Sequence, residues 1–151
     1  VACIFCDIVD GRAPASRVLD EPDLIAFMDI YPWRPGHVLV VPRVHAERVD
    51  ELPPAAAAAL LGAGARIAAA LRAGPLPCDD VHYLVNDGPA AAQTVPHVHL
   101  HVVPRVRGDL WRLGARLVQQ PVRRALGAVP REILDRQAEA LRAGLPRPNA
   151  P

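Results

Sequence analysis

The sequence predicts an α+β fold, a five-stranded antiparallel sheet with one long helix and shorter helices around it. Three observations carry this. Five short stretches of alternating apolar character are separated by turn residues, and one long alanine-rich helical pattern intervenes between the third and fourth. The early stretches follow one another through tight turns rather than alternating with helices, which favours an antiparallel meander over a doubly wound parallel sheet.

The first strand is read at Ser16–Asp20 and the second at Leu24–Asp29, with Glu21-Pro22 turning between them. The third is read at His37–Arg43 after Pro35-Gly36, the fourth at Val81–Asn86, and the fifth at His97–Pro104 after Asp87-Gly88-Pro89. Asp50-Glu51-Leu52-Pro53-Pro54 reads as a helix start, and the pattern runs until Gly74-Pro75 stops it. A second helix is expected over Arg131–Ala143. With 151 residues, a single compact domain can bury about 68–70% of its unfolded surface. Charge divides the chain: residues 1–104 hold seven Arg and twelve acids, net −5, and residues 105–151 hold ten Arg and four acids, net +6. The tail therefore reads as a basic extension of a more acidic body, and it contains the second helix. The extension reads either as a solvated helix face with a loose end, or as a phosphate-steering rim or dimer contact.

Composition excludes several chemistries. All seventeen basic residues are Arg, so there is no P-loop lysine, Schiff base or lysine nucleophile. Ser16 and Thr94 are the only hydroxyl residues besides tyrosine, and neither lies in a nucleophile elbow. The net charge of +1 argues against nucleic acid or a membrane surface as an obligate partner. No signal peptide is visible, and the longest apolar window, Ala55–Ala65, is too short to span a bilayer. A soluble cytoplasmic protein is expected. Histidine, cysteine and carboxylates must carry any catalysis.

The most informative segment is His97-Val98-His99-Leu100-His101-Val102-Val103, where histidine and apolar residues alternate. On a strand the three imidazoles share one face, about 6.6 Å apart per step. Three buried imidazoles each need polar partners that an inert core does not supply, so a catalytic or metal-binding face is expected.

The segment resembles the signature of the histidine triad (HIT) nucleotide-binding proteins. Phe27-Met28-Asp29-Ile30, Pro35-Gly36-His37 through Pro42, Asn86-Asp87-Gly88 and Gln93-Thr94-Val95-Pro96 look like the family pattern too. The resemblance covers Cys3 to about Asp109, and so implies a domain over 1–109 with the basic extension over 110–151, its helix packed on or beside that domain. It implies a hydrolase or nucleotidyl transferase acting on a purine nucleotide through a covalent nucleotidyl-histidine. His99 would be the nucleophile, His101 a donor to phosphate oxygens and His37 a support behind them. Gln93 and Thr94 would hold phosphate oxygens and the leaving group, with Asn86 and Val95 beside them. Asp29 would accept from the ribose hydroxyls, and Ile4, Phe5, Phe27 and Ile30 would sandwich the base. The resemblance also implies a homodimer with a continuous ten-stranded sheet. One departure stands out: Ala92 occupies the family's usual glycine position before Gln93.

Cys3 and Cys6, spaced Cys-x-x-Cys, suit metal or redox work. If the third strand runs antiparallel to the triad strand, His37 lies toward His101 and His45 toward His97. Cys3, Cys6, His45 and His97 would then form a closed structural zinc site resembling that of a bacterial branch of the family. Cys78 reads as incidental and His82 as an exposed strand residue. The Cys-x-x-Cys start looks like the bacterial phosphoramidate hydrolases, whereas Asp87-Gly88-Pro89, Gln93-Thr94-Val95 and Pro104-Arg105 resemble the dinucleoside polyphosphate hydrolases. A zinc-stabilised nucleotide-binding adaptor without turnover, and a metalloenzyme ligated by His97 and His99, stand as alternatives of other classes.

Overall fold

The computed structural model describes residues 3–109 and 127–146. Residues 110–126 and 147–151 of the basic extension, with Val1 and Ala2, lie outside the described residues. The elements in chain order are α1 (Ile4–Val9), β1 (Arg17–Asp20), β2 (Leu24–Met28), β3 (Val38–Pro42), α2 (Pro54–Ala73), β4 (Asp80–Val85), β5 (Leu100–Arg105) and α3 (Arg131–Gly144).

All five strands form one antiparallel sheet, in the order β1-β2-β3-β5-β4. The order departs from a plain meander. The 20-residue α2 is about 30 Å long at 1.5 Å per residue, enough to carry the chain past the slot beside β3. Strand β4 therefore forms an edge, and β5 later fills the slot. As a result β5 is buried along its whole length, whereas β4 is mostly exposed.

Strand alternation splits the core between two faces. Val38, Val40, Leu100 and Val102 face α2 and α3, whose Ile67, Leu71, Leu134 and Leu141 are buried against them. Burying side chains of this size is worth about 1.5–3 kcal/mol each. Ile25, Phe27, Leu39 and Val41 face the other way and pack on Phe5 and Ile8 of α1. By length and composition alone α2 could cross a membrane, with mean hydropathy 1.5, although Arg66 and Arg72 interrupt it. Here one side of it is packed on the sheet. A Cβ on Gly64 would meet Leu100 Cδ2 at 2.9 Å, so the helix can approach β5 this closely only without a side chain.

Most boundaries agree with the sequence expectation to within one residue, and two differ by more. A short 3₁₀ turn at Val49–Glu51 precedes α2, which begins at Pro54. Pro53 holds Leu52 extended and so separates the two. The triad strand was expected from His97, but β5 begins at Leu100. The amide of Val98 donates instead to Ala46 O at 2.8 Å, and the His97 carbonyl is taken by a side chain, so neither joins the sheet ladder. The N-terminal helix α1 had no expected element. It places Cys3 and Cys6 one turn apart on the same side.

Candidate active site and metal centre

The antiparallel register of β3 and β5 pairs Leu39 with His101 and Val38 with Val102. It brings His37, just before β3, against His101 of β5 and leaves His97 toward the opposite end. Gly36 makes the turn into His37 at φ +88°, where a Cβ would also meet Leu71 Cδ2 at 3.0 Å.

The ring tautomers follow from partners that can act in only one way. His99 Nδ1 lies 2.8 Å from the His97 carbonyl, which only accepts. Nδ1 therefore carries the proton, and Nε2 keeps a lone pair. The Trp33 backbone N–H, which only donates, reaches His37 Nδ1 at 3.1 Å. His37 is thus protonated at Nε2, which donates to His101 Nδ1 at 3.0 Å. His101 then carries its proton on Nε2, a buried atom with no hydrogen-bond partner among the described residues. The Asp29 carboxylate is 3.3 Å from His37 Nδ1, a contact that would want a proton there. We assign the tautomer by the shorter, well-directed amide contact. The result is one buried ring offering a lone pair and its neighbour offering an N–H, with ring centres 4.8 Å apart.

All these rings are held neutral. Burial lowers the His99 pKa, opposed by its bond to the His97 carbonyl and by the Asp29 charge. His37 is lowered to about 3 by burial and by His99, and His101 to about 3 by burial, His37 and His99. In the unfolded chain His37 and His101 protonate near pH 6.5, whereas in the fold they stay neutral down to about 3. The unfolded state binds more protons across that window, so stability falls as pH drops through it, by about 1.4 kcal/mol per unit for each ring. Urea midpoints measured from pH 7 to pH 4 should fall steadily, and His101→Asn should lose one ring's share of that slope.

Trp33, which no motif in the sequence marks, stacks on His101 with ring centres 5.6 Å apart and planes 10° off parallel. Its hydrogen bond comes from the backbone, which leaves no side-chain signal. Phe5 sets its edge against His99 at 5.1 Å and against Phe27 at 5.6 Å. Ile4 and Ile30 are exposed, and Val95 packs partly buried beside Phe5. Asp29 Oδ1 accepts from Tyr31 N at 2.8 Å, a turn cap at the end of β2. Gln93 has both ends of its amide engaged, accepting from Gly88 N at 2.9 Å and donating to Glu47 O at 2.8 Å. In the same loop Thr94 is exposed, and Asn86 is half-buried where β4 ends.

Ala92 adopts φ +63°, the only positive φ outside glycine among the described residues. The departure from the family pattern is therefore a left-handed backbone bearing a methyl group. Ala92→Gly should raise the unfolding free energy read from urea titration by about 0.5–1 kcal/mol, once the strain relieved is set against the added chain entropy.

The second cluster is Cys3, Cys6, His45 and His97, whose ligand atoms all lie within 4.8 Å of one another. His97 Nε2 donates to Pro42 O at 3.0 Å, so Nδ1 turns its lone pair toward the thiols. Cys3 Sγ to His97 Nδ1 is 3.5 Å, Cys6 Sγ to His97 Nδ1 3.6 Å and Cys6 Sγ to His45 Nδ1 3.4 Å. His45 Nδ1 to His97 Nδ1 is 3.2 Å. A tetrahedral ion bonded at about 2.3 Å to sulfur and about 2.0–2.1 Å to nitrogen sets edges of about 3.6 Å and about 3.3 Å. Both the donor set and its spacing fit such an ion, and the carbonyl behind His97 is the usual outer partner of a ligating imidazole. Cys78 and His82 lie outside both clusters: Cys78 Sγ donates to Asp80 O, and the exposed His82 contacts Arg105 Nη1 at 2.8 Å.

Fold and site together define an α+β protein with three buried imidazoles on and just before a central strand, and a thiol–imidazole cluster sharing one of the three. The HIT domain profile matches residues 10–108. An uncharacterised HIT-like protein of Mycobacterium tuberculosis is 44% identical over 140 residues, covering 91% of this chain and 96% of the relative. The adenosine 5'-monophosphoramidase of Schizosaccharomyces pombe is 36% identical over 122 residues, covering 81% and 87%. The crystal structure of a zinc-bound histidine triad family protein from Mycobacterium smegmatis superposes with TM-score 0.79 at 36% identity, covering 95% of this chain and 92% of that one. The chain belongs to the HIT family.

Proposed function

We propose that the protein hydrolyses nucleoside monophosphate derivatives of the phosphoramidate type, through a nucleotide bonded covalently to His99. The observation that carries this is the tautomer pattern: His99 Nε2 is left with its lone pair, beside a His101 Nε2–H with no partner among the described residues. Nε2 attacks the α-phosphorus as the bond to the amine breaks, and the departing nitrogen takes the electron pair and a proton from solvent. The imidazole is now cationic and a good leaving group. Water attacks phosphorus, the bond to His99 breaks with its electron pair returning to Nε2, and the water proton is released. The His101 N–H is suited to hold a phosphate oxygen throughout, a charge-assisted bond worth about 1.5–3 kcal/mol.

The phosphoramidase name of the fission yeast relative supports this substrate class. The zinc-bound neighbour and the geometry of Cys3, Cys6, His45 and His97 support zinc as a structural ion, which supplies a cross-link between α1 and the triad segment and takes no part in the chemical step. A homodimer is part of the same reading, supported by the exposed Tyr83 and Leu84 on the edge strand β4.

The test is acid quench of the protein mixed with radiolabelled adenosine phosphoramidate, alongside a dinucleoside polyphosphate. The expected result is a labelled protein adduct formed faster from the phosphoramidate. Faster turnover of the polyphosphate would reassign the substrate, and binding with neither adduct nor turnover would leave an adaptor.

A further inference from the structure

We propose that the segment beyond the family domain, residues 127–146, is a positioning element for the histidine relay, acting through the loop between β2 and β3. The proposal rests on the catalytic reading above and assigns a role to part of the basic extension.

That loop supplies the one contact that sets the relay's polarity, the Trp33 N–H to His37 Nδ1. It also supplies the indole stacked on His101. The loop closes its own base, with Asp29 N donating to His37 O at 3.0 Å and His37 N to Arg34 O at 3.1 Å, and further ties come from outside it. Two of its backbone groups are tied to the later segment. Val129 N donates to Ile30 O at 3.0 Å, and Gly36 N donates to Gln137 Oε1 at 2.8 Å. These bonds lie at the two ends of the loop and bracket Trp33. The helix that carries Gln137 is itself anchored, with Leu134, Ala138 and Leu141 buried in the main core and Asp135 accepting from Ser16 at 2.6 Å. Between the two ties, Arg34 reaches Asp109 at 3.0 Å, and Asp109 is buried against Arg105.

The chain of contacts therefore runs from Gln137 through Gly36 and Trp33 to His37, and on to the His101 Nε2–H that would meet phosphate. If the loop slackens, the amide no longer dictates the proton on His37. Nothing else on that nitrogen favours a lone pair, because the neighbouring Asp29 carboxylate at 3.3 Å favours a proton there. The relay would then reverse, leaving His101 Nε2 a lone pair where a donor is needed.

The test compares wild-type protein with Gln137→Leu and Gln137→Glu, the latter keeping the accepting oxygen. Long-range nitrogen-15 spectra of labelled histidine should show wild-type His37 and His101 protonated at Nε2 and His99 at Nδ1. Gln137→Leu should mix the His37 and His101 patterns and lower kcat about 10-fold with little change in KM, and Gln137→Glu should restore both. A Gln137→Leu protein that only melts earlier, with wild-type tautomers and kcat, would overturn the proposal. Should that variant not fold, Arg34→Met loosens the same loop while keeping the Arg105–Asp109 pair, and the same spectral change is required of it. If the wild-type protein turns over no phosphoramidate, the catalytic reading fails by itself, and the tautomer spectra still decide the positioning role.

Discussion

His99→Asn should reduce kcat for an adenosine phosphoramidate by about ten-thousandfold or more, with KM changed by no more than a few-fold. Asn can still donate from its amide to the His97 carbonyl, so the local backbone keeps a partner for the acceptor that His99 now uses at 2.8 Å. What is lost is a nitrogen with an available lone pair. Since that pair is used in forming the bond to phosphorus rather than in binding, the loss falls on kcat and the adduct trapped by acid quench should vanish with it. Burial keeps the wild-type ring neutral, so the nucleophile needs no proton removed at neutral pH. A variant that retains more than a hundredth of the wild-type rate, or still yields a histidine-linked adduct, would place the nucleophile elsewhere. Binding of the product nucleotide, measured by calorimetry, separates a chemical defect from a folding one.

Side chains that act as side chains were legible before the structure. The alternation of Val98, Leu100 and Val102 with the histidines marks one core face and one polar face, and both faces are realised although only His101 lies within the strand. The pairing of His37 with His101 and of His45 with His97 followed from antiparallel strands alone, and the register bears it out. Backbone groups were not legible. The Trp33 amide, the His97 carbonyl and the Pro42 carbonyl decide which nitrogen of His37, His99 and His97 carries the proton, and any residue type could have provided them. The insertion of β5 between β3 and β4 was equally hidden, because strand order depends on what α2 spans and not on any residue within the strands. The role read here for α3 was out of reach for a similar reason: Gln137 matters through the backbone amide of Gly36, some hundred positions earlier in the chain.

Removing metal from the thiol–imidazole centre should cost the protein both stability and rate. A ligand present at a thousand times its dissociation constant stabilises the fold by about 4 kcal/mol, and in a chain of this size that corresponds to a melting temperature about 10 °C lower once it is gone. The loss has a definite structural path. Cys3 and Cys6 lie at the start of α1, and an ion between them and His45 and His97 ties that helix to the loop after β3 and to the triad segment. Without it, Phe5 is held only by its packing, and Phe5 is the ring whose edge meets His99. His97 couples the centre to catalysis more directly, since its ring faces the thiols while its carbonyl accepts the His99 proton. Chelator-treated protein should therefore melt earlier and show a lower kcat, both recovering with added zinc. Cobalt substitution reads the ligand set independently: a thiolate-to-cobalt absorption band should appear and should weaken in Cys6→Ser. Protein that contains no metal when purified, takes up none, and melts at the same temperature as Cys3→Ser would reduce the cluster to four side chains packed together for other reasons.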